Sequence, residues 1–394
     1  MSFSYSKLNK YTKISSFSTI AGATEAYLTI DSEEKAYFIE ELDSLYESYT
    51  GALEKTGFDS DSLVFSRIYL SDIANQKGFL LESKIYEVLK TGAVSIVQQS
   101  PVNGNSVSLL SYHIKPLGKK LKKKFFNFDN ESWQNALLIE SEYYSLLLTA
   151  NFYGKGHFDS YKQTTGIFNS FIKILGENSM NMLDNSIRTW VFVRDIDNHY
   201  NGMVVSRREF FSEHGLTQKT RYIASTGIEG TLKEVDTLVS LDALSIKGIK
   251  SEQILRMEAL ENLSPTIKYG VTFERGTCVR FGDRSHLYIS GTASVDKEGK
   301  IAHPGNVRKQ TSRTIENIKA LLAPYGAGLN DMGYLVVYLR SFKDRKKVLE
   351  ILDKEIPAEI PYLFVEAAVC RPGWLVELEG VAVVPDSSDF PPFM

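Results

Sequence analysis

The chain has 394 residues, which at about 150 residues per domain is enough for two or three domains. Its hydrophobic content of 43% and charged content of 24% are close to those of soluble globular proteins, which excludes disordered, collagen-like and fibrous classes. The 45 Lys and Arg residues nearly balance the 48 Asp and Glu residues, and the net charge is −3. This balance gives no overall electrostatic reason to expect a nucleic acid or a membrane as partner.

The motifs of common cofactor and metal sites are absent from the sequence. It contains no G-x-x-x-x-G-K-S/T, G-x-G-x-x-G, H-E-x-x-H or C-x-x-C, so we expect neither a cofactor nor a metal ion. Cys278 and Cys370 lie far apart, which fits reduced thiols better than a disulfide framework. The first residues are too polar for a signal peptide and no apolar run is long enough to span a membrane, so we expect a cytoplasmic protein.

Hydrophobic periodicity divides the sequence into three segments with the same order of elements, β-β-α-β-α-β-β, which predicts an α+β fold of three repeats. The first repeat occupies residues 1–114, the second 140–245 and the third 266–394. In the first repeat, apolar residues at helical spacing mark the long helix: Phe38, Leu42, Leu45, Tyr46, Tyr49 and Leu53. We expect this repeat to be structural, because it has no cluster of arginines and small residues like those of the other two.

The clearest trace of duplication follows the central strand of the first two repeats. RIYLSDIAN and WVFVRDIDN can be superposed so that Asp72 meets Asp195 and Asn75 meets Asn198. In the third repeat, TIKYGVTFERG and HLYISGTASVD are predicted as the opening strands and MGYLVVYLRSF as the central strand. The joins fall near 114–140 and 245–265, and since neither is of low complexity the repeats are expected to pack together.

The first join carries a basic run, which consists of Lys119, Lys120, Lys122, Lys123 and Lys124. With Phe125 and Phe126 this run could contact RNA. We favour a solvated linker, because nothing else in the chain extends the basic patch. No nucleic-acid partner is therefore expected.

Three clusters are candidates for a ligand site. The first lies in the second repeat and comprises residues 188–190, Tyr200, Arg207, Arg208 and residues 221–227. The second joins residues 273–275 to the small-residue stretch 290–294, where the backbone can approach a ligand closely. The third covers residues 370–379. Arginines, hydroxyl groups and a carboxylate in combination suit a polyanionic small molecule.

The third cluster contains two carboxylates, Glu377 and Glu379, which point to one face of a predicted strand. On pattern alone such a pair often faces solvent. The alternative is that one of them lies in a pocket between domains with its pKa raised for general-acid work. Arg371 could form a surface ion pair or a bidentate clamp on a substrate carboxylate. Cys370 is interpreted as a buried thiol, since no His lies near it in sequence.

The third repeat resembles the RidA/YjgF superfamily, whose small β-β-α-β-α-β-β domains assemble as trimers with active sites between subunits. The resemblance covers about residues 266–385 and is carried by SGTASVDKEGKI, Gln310, Asn317, Gly326, VVYLR and VELEGVAV. It implies that three repeats in one chain form a pseudo-trimer, monomeric or in a higher oligomer. RidA imine deaminases carry an arginine shortly after a proline at the penultimate strand, whereas residues 361–364 here are PYLF.

Motifs over residues 188–380 resemble the chorismatase branch of the superfamily, which transforms chorismate with loss of pyruvate. They are RTW, ASTGI, FERG, SGTAS and CRPGWLVE. The resemblance implies that Glu377 is the catalytic carboxylate and that a small dicarboxylate binds between the second and third repeats. The implied binding residues are Arg188, Tyr200, Arg208, Tyr222, Thr226, Arg275, Ser290, Gly291, Thr292, Ala293, Cys370 and Arg371.

The chemistry requires Glu377 to be protonated near neutral pH, which desolvation by Trp374 and Phe273 or a nearby carboxylate would favour. The resemblance also implies that Ala293 and Cys370 occupy positions that help to distinguish the product types of the branch, and this pair is mixed. The sequence leaves open a dihydroxycyclohexadienoate or 3-hydroxybenzoate as product. An imine or enamine deaminase, and a RidA-like binding protein without turnover, are the alternatives.

Overall fold

The computed structural model describes residues 2–20, 22–118, 120–128, 133–154, 156, 159–232, 234, 236–266 and 270–394. Its strands form three six-stranded sheets, one from each repeat, with helices packed on them. This architecture confirms the predicted α+β fold of three repeats. Each sheet has one more strand than the sequence predicts, and the extra strand lies at the sheet edge before the first hairpin.

The first repeat has its sheet strands in the order β1-β2-β3-β6-β4-β5. The strands are β1 (Ser2–Lys7), β2 (Thr12–Ser18), β3 (Thr24–Asp31), β4 (Leu63–Leu70), β5 (Ala93–Gln98) and β6 (Val107–Lys115). The helices are α1 (Phe38–Thr56), α2 (Ile73–Leu81) and α3 (Lys84–Leu89). Helix α1 buries Leu42, Leu45, Tyr49 and Leu53, so the apolar spacing of the sequence marks the packed face.

The second repeat has the same strand order, β7-β8-β9-β12-β10-β11. The strands are β7 (Lys122–Asn127), β8 (Asn135–Glu140), β9 (Ser145–Tyr153), β10 (Ser186–Val193), β11 (Ala224–Glu229) and β12 (Val239–Lys247). The helices are α4 (Ser160–Glu177), α5 (Met182–Asn185) and α6 (Ile196–Glu213). Lys122, Lys123 and Lys124 belong to edge strand β7, so the basic run is not a linker there; Lys119 lies outside the described residues.

The third repeat follows with the order β13-β14-β15-β18-β16-β17. The strands are β13 (Ile254–Arg256), β14 (Gly276–Arg280), β15 (Arg284–Ala293), β16 (Met332–Leu339), β17 (Tyr362–Glu366) and β18 (Val376–Pro385). The helices are α7 (Val307–Leu322) and α8 (Arg345–Glu355). The opening strand begins at Gly276, where the predicted strand ends, and residues 267–269 of that prediction lie outside the described ones.

A shared irregularity aligns the three repeats residue by residue. The central strands β4, β10 and β16 shift register against β6, β12 and β18 near their first residues, after Leu63, Ser186 and Met332. Counted from this shift, Asp72 and Asp195 are equivalent, as the sequence superposition predicts. Each accepts a hydrogen bond from the asparagine amide three residues later, so the duplicated motif is a helix-start motif.

The repeats pack in a ring. Strand β5 contacts β8 and β9, β11 contacts β14 and β15, and β16 and β17 contact β3. Tyr69, Phe192 and Tyr338, which are equivalent by the shared alignment, all lie in one apolar cluster at the centre. The result is a pseudo-trimer with three clefts between neighbouring repeats. Over the described ranges, no helix is both long and apolar enough to cross a membrane.

Candidate active site

A cavity lies between the second and third repeats, where β11 and α6 face β15 and β18. It holds about 500 Å³ of space, counting the solvent at its mouth. Among the predicted site residues, the structure brings these to its wall: Tyr200, Arg275, Gly291, Ala293, Cys370, Arg371 and Glu377.

Glu377 lies on β18 in the cavity wall, and only 4% of the residue is exposed. Burial and, to a smaller extent, the negative charge of Glu379 raise the pKa of its carboxyl group to about 8, although Arg188 and Arg275 act in the opposite direction. A carboxyl group with this pKa keeps its proton at neutral pH. A protonated carboxyl group in a cavity wall has the chemistry that general-acid catalysis requires.

A β-bulge in β15 makes room for the Glu377 carboxyl group. The register of β15 against β18 places Ser290 and Gly291 together opposite Glu379. A Cβ atom on residue 291 would overlap the Glu377 carboxyl group, so this approach requires glycine. The Gly291 N–H donates a hydrogen bond of 2.9 Å to Thr226 Oγ1, which ties the bulge to the second repeat.

Ser290 and Thr292 are fully buried, and their hydroxyl groups form hydrogen bonds with backbone atoms. Ser290 Oγ donates to the Glu274 carbonyl oxygen at 2.5 Å and accepts from the Ser225 N–H at 2.9 Å. Thr292 Oγ1 donates to the carbonyl oxygen of Ser290 at 2.9 Å. These two predicted binding residues thus position the strands that form the cavity.

Three arginines reach the cavity wall, Arg207 from α6, Arg275 from the segment before β14 and Arg371 from the loop after β17. Arg207 is 2% exposed, and its Nη1 donates to Ser225 Oγ at 3.3 Å. Its Nε has no hydrogen-bond partner among the described residues. Burial lowers the pKa of Arg207, and it lowers that of Arg275 to about 10. Desolvated guanidinium groups at a cavity wall favour an anionic ligand.

Arg208, which the sequence predicts in the site, is exposed. The buried residues of α6 include Met203, Arg207 and Phe210, so Arg207 occupies the packed face and the next residue points away. The sequence places both arginines in one cluster and predicts Arg208 as the binding residue, whereas the structure brings Arg207 to the cavity. The helical periodicity of the apolar residues around them was the signal that separates the two.

Tyr200 and Cys370 form a hydrogen bond in the cavity wall, and burial raises the pKa of both, that of Cys370 to about 12. Cys370 is therefore a protonated thiol and a poor nucleophile. Phe273 and Trp374 add apolar surface to the wall. In the part of the chain that the structure describes, no three His, Cys, Asp or Glu side chains lie together as a metal site.

Glu379 lies behind the cavity with its carboxylate surrounded by donors. Arg188 Nη2 donates to it at 2.7 Å, Trp190 Nε1 at 2.9 Å and Tyr338 Oη at 2.8 Å, and the Thr226 hydroxyl group also donates. Arg188 and Thr226, both predicted to bind substrate, are fully buried in these contacts. Their effect on Glu377 is indirect: Thr226 holds the neighbouring Gly291 N–H, and the charge of Arg188 lowers the pKa of Glu377.

The first repeat joins the same group of charges through Arg67. Its Nη2 lies 2.8 Å from Asp242 Oδ2, and its Nη1 lies 3.9 Å from Glu379 Oε1. Arg67, Arg188, Asp242 and Glu379 thus form one buried charge network at the centre of the ring. All three repeats contribute to it, and it borders the cavity at Glu377.

Two side chains of α7 hold the segments on either side of Glu377. Gln310 Oε1 accepts from the Leu375 N–H at 2.9 Å, and Asn317 Nδ2 donates to the carbonyl oxygens of Ala293 and Val295, each at 3.1 Å. These contacts explain why the two residues belong to the motifs that carry the family resemblance.

Tyr222 lies outside the cavity. It lines an adjoining pocket with Arg256 and Glu274, and Arg275 forms part of the wall of both. Its backbone N–H donates to Glu274 Oε1 at 2.7 Å. Tyr222 therefore belongs to the adjoining pocket, and Glu377 to the cavity.

The fold and the cleft define a class, a single-chain ring of three RidA-like units with a buried carboxyl group between two of them. Residues 278–384 match the endoribonuclease L-PSP family. A RutC family protein of Pyrococcus abyssi is 33% identical over 97 residues, which are 24% of this chain and 76% of the relative. The 3-aminoacrylate deaminase RutC of Acinetobacter baylyi is 28% identical over 99 residues, 25% and 79% of the two chains. The chain therefore belongs to the RidA/YjgF superfamily.

The arrangement of all three repeats also occurs in a solved structure. A chorismatase crystal structure at 1.08 Å resolution matches 92% of this chain and 100% of its own, with a TM-score of 0.65 and 15% identity. The likeness shows that the three-repeat fold is shared over nearly the whole chain.

Proposed function

We propose that this protein is a chorismatase-like enzyme that releases pyruvate from chorismate. The observation that carries the proposal is Glu377, a carboxyl group with a pKa of about 8 in the wall of a cavity that also presents Arg207, Arg275 and Arg371. A proton donor and several cations together suit a dicarboxylate whose reaction begins with protonation.

Chorismate has two carboxylates and an enolpyruvyl ether. The arginines of the cavity hold the carboxylates, and the Glu377 proton passes to the terminal methylene carbon of the enol ether. The ether carbon becomes an oxocarbenium ion, which water attacks. Collapse of the adduct breaks the bond from this carbon to the ring oxygen, releases pyruvate and the ring alcohol, and returns a proton to Glu377. Attack by a ring hydroxyl group in place of water leads toward 3-hydroxybenzoate.

The walls of the cavity support this chemistry. Phe273 and Trp374 limit the water that reaches Glu377, and the low polarity keeps its carboxyl group protonated until substrate accepts the proton. The charge of Glu379 acts in the same direction, while Arg275 opposes it. The balance leaves a donor that is neutral at pH 7 and is acidic enough to transfer its proton.

The test is a pyruvate assay with purified protein and chorismate, repeated with Glu377→Gln. We expect pyruvate release by the wild type and a loss of at least about a hundredfold in the variant, because the proton donor is gone. Circular dichroism checks that the variant is folded. Glu350→Gln is the matched control, since Glu350 is exposed on α8 and should not affect the rate. Near-normal turnover by Glu377→Gln would sink the assignment.

A second candidate is hydrolysis of an imine or enamine, which the likeness of the third repeat to the aminoacrylate deaminase RutC favours. Against it, the residues after Pro361 are Tyr362, Leu363 and Phe364, with no arginine to hold the substrate carboxylate. Activity on 2-iminobutyrate without pyruvate release from chorismate would favour this candidate. Binding of chorismate with neither activity would indicate a RidA-like protein without turnover.

A further inference from the structure

A second cleft, between the third and first repeats, occupies the place that the pseudo-threefold symmetry makes equivalent to the Glu377 cleft. The shared register shift aligns Ser108 of β6 with Glu377 of β18. Ser108 pairs with Tyr69 across the ladder just as Glu377 pairs with Tyr338. At the position of Glu377, this cleft therefore has a serine, with a hydroxyl group in place of the carboxyl group.

A carboxyl group is nevertheless present, on the neighbouring strand. Asp31 of β3 pairs with Ser108, and the equivalent residue opposite Glu377 is Ala293. Asp31 Oδ1 accepts a hydrogen bond of 2.6 Å from Ser108 Oγ and its side chain lines the cleft. Burial raises the pKa of Asp31, so its negative charge is disfavoured there.

The cation of the first cleft also has a counterpart. The pairing of β2 with β3 and of β14 with β15 makes Ile14 equivalent to Gly276. Lys13, one residue before Ile14, therefore occupies the position that Arg275 has in the third repeat. Lys13 Nζ lies 4.6 Å from the centre of the Tyr362 ring and donates to the Ile360 carbonyl oxygen at 3.3 Å. Burial lowers the pKa of Lys13, so a nearby anion would stabilise its charged form.

The second cleft is open, with about 1030 Å³ of space counting the solvent at its mouth. Lys7 and Lys10 are exposed and line it together with Lys13. The acidic residues that line it are Asp31, whose charge burial disfavours, and Asp353, which is exposed. Among the lining residues, three lysines against these two carboxyl groups leave an excess of positive charge, and Glu359 is a further acidic group whose charge acts on Lys13.

The cleft between the first and second repeats differs, because side chains form hydrogen bonds across it. Asn151 occupies the bulge of β9 that corresponds to the bulge at Gly291, and its Oδ1 accepts from the Ile96 N–H at 3.1 Å. Asn135 joins both backbone groups of Val94, at 3.0 and 2.8 Å. Side-chain amides of the second repeat thus bind the backbone of β5 across this cleft, whereas a cavity lies beside Lys13 in the other cleft.

We propose that the cleft between the third and first repeats binds a small organic carboxylate. Lys13 holds the carboxylate, Lys7 and Lys10 attract it at the mouth, and the Tyr362 ring forms one wall. The first repeat then has a ligand-binding role in addition to the structural one that its sequence predicts. This inference is independent of the reaction proposed for Glu377.

The experiment uses benzoate as the probe and the full chain labelled with 5-fluorotryptophan. Calorimetry measures all binding of benzoate, and the ¹⁹F resonance of Trp374, assigned with Trp374→Phe, reports occupancy of the Glu377 cleft alone. In Lys13→Met we expect one binding step to weaken about tenfold or more, because a charged hydrogen bond is lost. The Trp374 titration should stay as in the wild type.

Lys122→Met is the matched control, since it removes the same charge from the exposed edge strand β7. Equal weakening in this control, or wild-type calorimetry in Lys13→Met, overturns the proposal. If Lys13→Met melts at a lower temperature than the wild type, the double variant Lys7→Met/Lys10→Met decides, because both residues are exposed. A several-fold weaker binding step in the double variant supports the site, and an unchanged one overturns it.

Discussion

Glu377 and Glu379 lie two residues apart on one face of β18, yet their surroundings are opposite. Glu379 accepts hydrogen bonds from Arg188, Trp190 and Tyr338 behind the cavity. Glu377 lies in the cavity wall, where burial raises its pKa to about 8. The charge of Glu379 is itself one cause of that rise. Glu379 stays ionised because it accepts several hydrogen bonds, and its charge raises the pKa of the buried Glu377. Such a pair of carboxyl groups is thus a way to build a proton donor.

The largest effect is expected from removing the charge of Glu379, the fully buried and hydrogen-bonded member of the pair. Glu379→Gln leaves Arg188 without its counter-charge and Arg67 with Asp242 alone, so the free energy of unfolding should fall by about 3–5 kcal/mol. Urea unfolding of the wild type and of Glu379→Gln at pH 7 measures this difference in the free energy of unfolding.

The control for this change is another Glu–Arg pair that is exposed. Glu350 lies 2.6 Å from Arg308, and both side chains are about half exposed, so Glu350→Gln should cost less than about 1 kcal/mol. Equal losses in the two variants would show that the buried charge network contributes no more to stability than a surface pair.

A smaller effect is expected on the pH dependence of stability. The pKa of Glu377 rises from 4.5 to about 8 on folding, so the folded state holds this proton more tightly than the unfolded chain. The stability that this proton confers is complete below pH 4.5 and is lost as the pH rises toward 8. Between pH 5.5 and 7 the wild type should lose about 2 kcal/mol relative to Glu377→Gln.

Urea unfolding of both proteins at the two pH values tests this difference. The same series with Glu350→Gln should run parallel to the wild type, because Glu350 is exposed. A wild-type curve parallel to that of Glu377→Gln would mean that Glu377 does not take up a proton on folding.

How far the sequence predicts this site depends on whether a feature is local. The hydrophobic periodicity and the repeated order of elements predict the three sheets. The spacing of two residues along one strand predicts that Glu377 and Glu379 share a face. The separate surroundings of the two carboxylates come from contacts between repeats. Arg67 and Asp242 are 2.8 Å apart in space and belong to different repeats, a contact that no local pattern reveals.

The same limit explains why three predicted binding residues lie away from the cavity wall. Arg188 belongs to a motif in the predicted cluster, but its strand turns it toward Glu379 and away from the cavity. Arg207 replaces Arg208 because helix α6 packs with one particular face against the sheet. Tyr222 lies two residues before β11, yet it lines the adjoining pocket and not the cavity.

The smallest effect concerns the cation that opposes Glu379. Arg275 lowers the pKa of Glu377, so Arg275→Gln should raise this pKa. Under the proposed reaction, Glu377 must be protonated, and kcat/KM should fall above about pH 8 in the wild type. In the variant this fall should begin at a higher pH, whatever the loss in substrate affinity. Arg371→Gln removes a different cation from the same wall and should leave the alkaline limb in place. A limb that moves in both variants, or in neither, would contradict the assignment of this limb to Glu377.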